Sequence, residues 1–291
     1  MEQQTLDFIV AGTWFTLSLY SLAANILLFI LVGRSVEMRT FPSYWIIISS
    51  TICETSMSMF VLCYAIPSIL LHDNLSKIDA LTNFWMILSY NFFWYTAVIH
   101  FALMAINRFI CIVCPAYYPS LFSKRNTACL LGLCYFLGLS LSLPMLLPCC
   151  YILWDSYNYI TFYVDPETWY RFVDLGLNTT VLTISIVFYA AVLMKIRRLR
   201  QQSQFLAVSL VYVLTWTSWQ WLPCVSLSKW IYFAMMTFSV FSNAANPTIY
   251  LVFNKNLRHK VLDLLFRRNC NSSTVTITVK PSKTTKVSEQ I

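Results

Sequence analysis

The sequence predicts an all-α membrane protein, a seven-transmembrane helix bundle with a short amphipathic eighth helix. Three observations carry that prediction. The 291 residues are 58% hydrophobic and only 11% charged, with a mean hydropathy of +0.63, far more apolar than a soluble domain. Seven runs, at about 8–33, 43–71, 84–112, 128–152, 173–195, 205–227 and 230–253, are each long enough to cross a hydrocarbon core of roughly 30 Å, which takes about 20 helical residues. The basic residues are also segregated. With seven crossings, 17 of the 20 Lys and Arg residues fall on one side, leaving Lys77, Arg171 and Lys229 on the other. The positive-inside rule then places a multi-pass protein in the cell membrane with an extracellular N-terminus and a cytoplasmic C-terminus. The same segregation accounts for the net charge of +8 without any nucleic-acid partner.

Taken in order, residues 1–7 form a short extracellular N-terminus that carries Glu2 and Asp7 but no Lys or Arg. Without a basic leader the first apolar run reads as a retained helix, the first of the seven-transmembrane domain 8–253. Span two holds Glu54, about 11 residues in and so roughly 16 Å deep at 1.5 Å per residue. A carboxyl at that depth costs about 2.5–3.5 kcal/mol on insertion scales. It fits either a protonated group hydrogen-bonded between helices or the centre of a polar cluster with Asn25 and Asn246, one able to hold a sodium ion. The outer loop 72–80 contains the sequon Asn74-Leu75-Ser76, a glycosylation acceptor. A second sequon at Asn178 lies too near the membrane, and a third at Asn271 faces the cytoplasm.

Span three ends in "MAINRFICIVCP", which places Arg108 at the cytoplasmic end, where a snorkelling anchor is the plain reading. Its "CIVC" lacks a second pair or a nearby His, so zinc or redox chemistry is not supported and no metal is expected. Cys149 and Cys150 close span four and are too near in sequence to bridge without strain. The Tyr- and Trp-rich outer loop, about 153–172, reads as a structured lid or interfacial surface. In span six Pro223 would kink the helix, and Trp221 is too deep for an interface belt. Span seven closes with "SNAANPTIYLVF", a proline at 247 between Asn246 and Tyr250. Residues 254–268 place Leu257, Val261, Leu264 and Leu265 on one face against Lys and Arg, an amphipathic helix on the inner leaflet. Residues 269–291 read as a disordered cytoplasmic tail, with nine Ser or Thr residues and, at Cys270, a candidate palmitoylation site.

These positions together resemble the rhodopsin-like family of G protein-coupled receptors. "AANIL" matches the family's span-one asparagine at Asn25, and Glu54 falls where the family usually has Asp. "AINRF" followed by "CPAYYPSLF" looks like the Asp-Arg-Tyr box and second inner loop, at Arg108, Pro115 and Tyr118. "QWLP" resembles the span-six motif at Trp221 and Pro223, Tyr189 suits the span-five tyrosine, and "NPTIY" matches the Asn-Pro-x-x-Tyr motif. Within the family the inner-loop pattern looks most like nematode serpentine chemoreceptors of class X.

The resemblance implies a non-enzymatic receptor without a cofactor. Its ligand would be a small, mostly uncharged extracellular molecule lying against Tyr90, Asn91, Trp94, Trp221 and Cys224. Its inner partner would be a heterotrimeric G protein, contacted by Arg108, Pro115, Tyr118, Lys195, Arg197 and Arg198, with arrestin and membrane lipid as further partners. The switch would comprise Asn25, Glu54, Asn107, Arg108, Tyr189, Trp221, Pro223, Asn246, Pro247 and Tyr250. Departures from the pattern are specific. Asn107 replaces the acidic neighbour of the arginine, so the usual salt bridge cannot form, and high ligand-free activity is expected. Asn83 stands where a cysteine is usual, and no Cys lies between Tyr151 and Arg171, so the usual linking disulfide is missing. Tyr90 replaces the aspartate that grips amines.

Two other classes fit the sequence less well. An insect-type ligand-gated cation channel has a cytoplasmic N-terminus, against the charge asymmetry here. A secondary transporter would need more intramembrane charge than Glu54 alone.

Overall fold

Apolar runs punctuated by Pro and by short polar turns build a helical bundle. The computed structural model describes residues 3–71, 80–196, 211, 213–215, 217–219, 222, 228–253 and 257–261. Five helices there are long and apolar enough to cross a membrane: α1 (Gln3–Arg34), α2 (Pro42–Leu71), α3 (Ala80–Val113), α4 (Lys124–Ser142, extended by a 3-10 turn to Leu146) and α5 (Tyr170–Ile196). A further helix, α6 (Lys229–Phe253), covers predicted span seven and contains Pro247. The described residues between 211 and 222 are helical and fall in predicted span six.

Local chemistry explains the boundaries. Pro42 opens α2 at the first turn, where its missing N–H costs nothing. Ser123 caps α4 by accepting from the Asn126 amide. Span four was expected to run to 152, but the α-helix ends at Ser142. Pro144 and Pro148 cannot donate, and the chain passes through two 3-10 turns, Leu143–Leu146 and Pro148–Cys150, before a strand begins. In α2 the backbone widens to a π-turn at Val61–Ala65, just before Pro67 leaves a helix carbonyl unclaimed.

The central helix is α3, which packs on α2, α4 and α5, while α1 lies along α6. At Gly138 of α4 an added Cβ would sit 2.0 Å from Thr96 Oγ1 and 3.1 Å from the Thr96 backbone. The absent side chain is therefore what lets α3 and α4 approach, as small residues do in membrane bundles. The loop expected to be structured is a two-stranded antiparallel hairpin, β1 (Ile152–Asp155) with β2 (Ile160–Tyr163), in the register Ile152↔Tyr163 to Asp155↔Ile160. Its turn is held by Asp155 Oδ1, which accepts from the Tyr157 and Asn158 amides. Tyr159 closes the turn at φ 62°, an unusual conformation for an aromatic residue.

Candidate functional site

Buried polar contacts form three layers from the hairpin end of the bundle to the end that carries Arg108. In the first, Asn83 of α3 holds β1 at two points: its Nδ2 donates to the Trp154 carbonyl at 3.0 Å and its Oδ1 accepts from the Trp154 amide at 2.9 Å. Trp154 Nε1 donates to Ser68 of α2 at 2.8 Å. The Tyr159 hydroxyl donates to Asp7 of α1 at 2.5 Å and accepts from Gln3 at 2.9 Å. Burial, and then the Asp7 carboxylate, push this phenol above its ordinary range, so it stays a donor. Lys229 at the start of α6 donates to Gln3 at 2.8 Å and lies 2.9 Å over the Tyr157 ring.

The middle layer centres on Glu54, whose Oε1 accepts from Asn246 Nδ2 at 2.5 Å and from Ser50 at 3.1 Å. One expectation is redirected here. Asn25 bonds neither Glu54 nor the Asn246 side chain; its Nδ2 donates to the carbonyls of Ser21 and Asn243, at 3.0 and 3.1 Å. The partner lies on the same helix as Asn246, three residues earlier, which is nearly one turn. Beside Glu54 a void of about 10 Å³ is bordered by Trp94, Ser242, Asn243 and Asn246. That is room for about one water-sized particle. In the same stratum His100 bonds Ser49 at 2.8 Å and the Thr96 carbonyl at 2.7 Å, tying α3 to α2.

At the far end Asn107 Oδ1 accepts from Ser43 at 2.9 Å, and the Ser43 and Tyr118 hydroxyls are 2.8 Å apart. Asn107 Nδ2 is buried without a partner among the described residues. Tyr250 donates to Met104 Sδ at 3.7 Å. It also lies within hydrogen-bonding reach of Arg108, with Tyr189 close enough to act on it electrostatically. Lys260 bonds Ser35, and Leu257 is buried against Leu28, Val32 and Tyr250.

Of the predicted ligand lining, three residues are described and they diverge. The Tyr90 ring packs 4.8 Å from Phe60 of α2. Asn91 turns to Met145 past the end of α4, at 3.4 Å, and Trp94 faces the Glu54 void. Pro115 and Lys195 are exposed. Asn74, Arg197, Arg198, Trp221, Pro223, Cys224 and Cys270 lie outside the described residues. Ser43, Asn243 and Trp154 were missed because their role comes from what the fold sets opposite them. Asp174 was missed too, although its spacing to Asn178 inside an apolar run was a readable signal. Asn178 Nδ2 donates to its carboxylate at 2.9 Å.

Long apolar helices crossed by these buried polar layers make a membrane helix bundle. Over residues 15–254 the sequence matches the family described as serpentine type 7TM GPCR chemoreceptor Srx, and the chain belongs to that family. The crystal structure of squid rhodopsin is similar, with a TM-score of 0.70 over 91% of this chain and 86% of that one. At 12% identity the likeness concerns the fold alone. No curated protein matches the chain. Among the described residues no three His, Cys, Asp or Glu side chains converge on a metal site.

Proposed function

We propose that this chemoreceptor passes the binding of a small molecule at its extracellular, hairpin end to a heterotrimeric G protein at its cytoplasmic end. Seven spans, an extracellular N-terminus and an amphipathic eighth helix over 254–268 complete the reading. It is supported by α6 covering span seven and by the helical residues 257–261 with Leu257 buried. The observation that carries it is that α6 holds two polar contacts, Asn246 with Glu54 of α2 at mid-depth and Tyr250 near Arg108 of α3 and Tyr189 of α5 at the far end. A change in the packing of α6 moves both contacts together, which is the two-state element a switch requires. The oxygens around Glu54 and the single-particle void suit one small hard cation such as sodium. Pro115, Tyr118 and the basic residues 195–200 would face the G protein, and the inner-leaflet lipids would meet the same positive charge.

The test is Arg108→Ala in the full-length receptor, reconstituted with a panel of Gα subunits and read by nucleotide exchange. Coupling should fall to background while surface expression stays at the level of the unmodified receptor. Lost expression would instead mark Arg108 as a membrane anchor.

A further inference from the structure

We propose a second ligand site, open to the hydrocarbon phase between α2 and α3, that takes a small uncharged lipophile carrying one acceptor oxygen. The proposal builds on the receptor reading but concerns a different wall of the bundle. A cavity of about 210 Å³ lies in the hairpin half of these helices. Met59, Cys63, Met86 and Ser89 form its exposed rim on the lipid side. Phe60, Tyr64 and Tyr90 form its inner wall.

Two features distinguish it from a packing gap. Tyr64 and Tyr90 are only 6% and 9% exposed, yet neither hydroxyl bonds any described residue. Buried phenols normally find an acceptor; here both line a space that can supply one. Second, the wall is built by the π-turn Val61–Ala65, which carries Cys63 and Tyr64. Such turns concentrate at functional positions.

The route follows from the hairpin. Trp154 is bonded to Ser68 of α2 and to Asn83 of α3, so β1 bridges the ends of both helices above the cavity. Its indole also caps Phe60, at 6.5 Å. With that end bridged, the open side is the lipid face. The cavity exceeds the roughly 150 Å³ that holds benzene and falls short of the roughly 300 Å³ where drug-sized sites begin. Among the described residues no charged side chain lines it. An aryl or short-chain ketone, aldehyde or ester matches the size, the apolar wall and the two O–H donors.

The test photolabels the full-length receptor in lipid nanodiscs with 3-trifluoromethyl-3-phenyldiazirine, maps the adducts by mass spectrometry, and competes them with acetophenone or toluene. Adducts should concentrate in segments 56–64 and 86–93 and be lost in Ser89→Trp and Met86→Trp, variants that fill the rim and should melt at the unmodified temperature. Tyr64→Phe and Tyr90→Phe should each weaken acetophenone competition about five-fold, the loss of one hydrogen bond, and leave toluene unchanged. Adducts spread evenly over every lipid-facing helix, untouched by the filling variants, would overturn the site. The readout needs no G protein, so a receptor that binds here without nucleotide exchange would refute the coupling and leave the site standing.

Discussion

Replacing Asn83 by Ala removes both hydrogen bonds that tie Trp154 to α3, leaving the indole bonded to Ser68 of α2. Leaving the strand's amide and carbonyl half-buried and unpaired should cost about 1–3 kcal/mol. The variant is expected to melt at a lower temperature, and the Trp154 amide to exchange hydrogen faster. Unchanged exchange at Trp154 would show that the hairpin is held elsewhere. The position itself was legible, because a receptor of this kind usually has a cysteine there. Its substitute bond was not: the partner is a backbone group 71 residues away, placed by a strand register that no pattern in the sequence announces. Glu54 and Asn246 were legible for the opposite reason. A polar side chain in lipid must find a partner, and few candidates exist at the same depth.

Among the elements, α1, α2, α3, α5 and α6 match their expected runs to within about five residues, since apolar length fixes them. Their ends and contacts depended on finer chemistry. The early end of α4 follows from Pro144 and Pro148, both visible in the sequence. The hairpin was masked because its strands are only four residues long and rich in aromatics that equally suit an interface. Gly138 gave no signal at all, yet it sets the distance between α3 and α4. Gly138→Ala drives a methyl against Thr96 and should destabilise the bundle by about 1–3 kcal/mol, seen as a lower melting temperature. Adding Thr96→Ala removes the Oγ1 clash at 2.0 Å but leaves Cα and Cβ at 3.1 Å, so the double variant should recover only part of the loss. Full recovery would place the strain in the hydroxyl alone.

At the scale of the whole molecule α2, α3 and α6 run between the two ends, and the Glu54–Asn246 contact is where α2 grips α6. Stability and switching can be separated there. Glu54→Leu should destabilise by about 1–3 kcal/mol, because it orphans the buried Asn246 amide and the Ser50 hydroxyl together. Adding Asn246→Leu removes one of those orphans and replaces a polar pair with an apolar one, a change that is often nearly neutral. The double variant should therefore regain much of the lost melting temperature. Nucleotide exchange should not return with it, since apolar contact lacks the directional bond that sets α6 against α2 in one position. Glu54→Gln, which keeps the acceptor oxygen, should stay close to the unmodified receptor in stability. If the double leucine variant recovers exchange along with its fold, the pair holds the bundle together without taking part in the switch, and the path from the hairpin to Arg108 must run through α3.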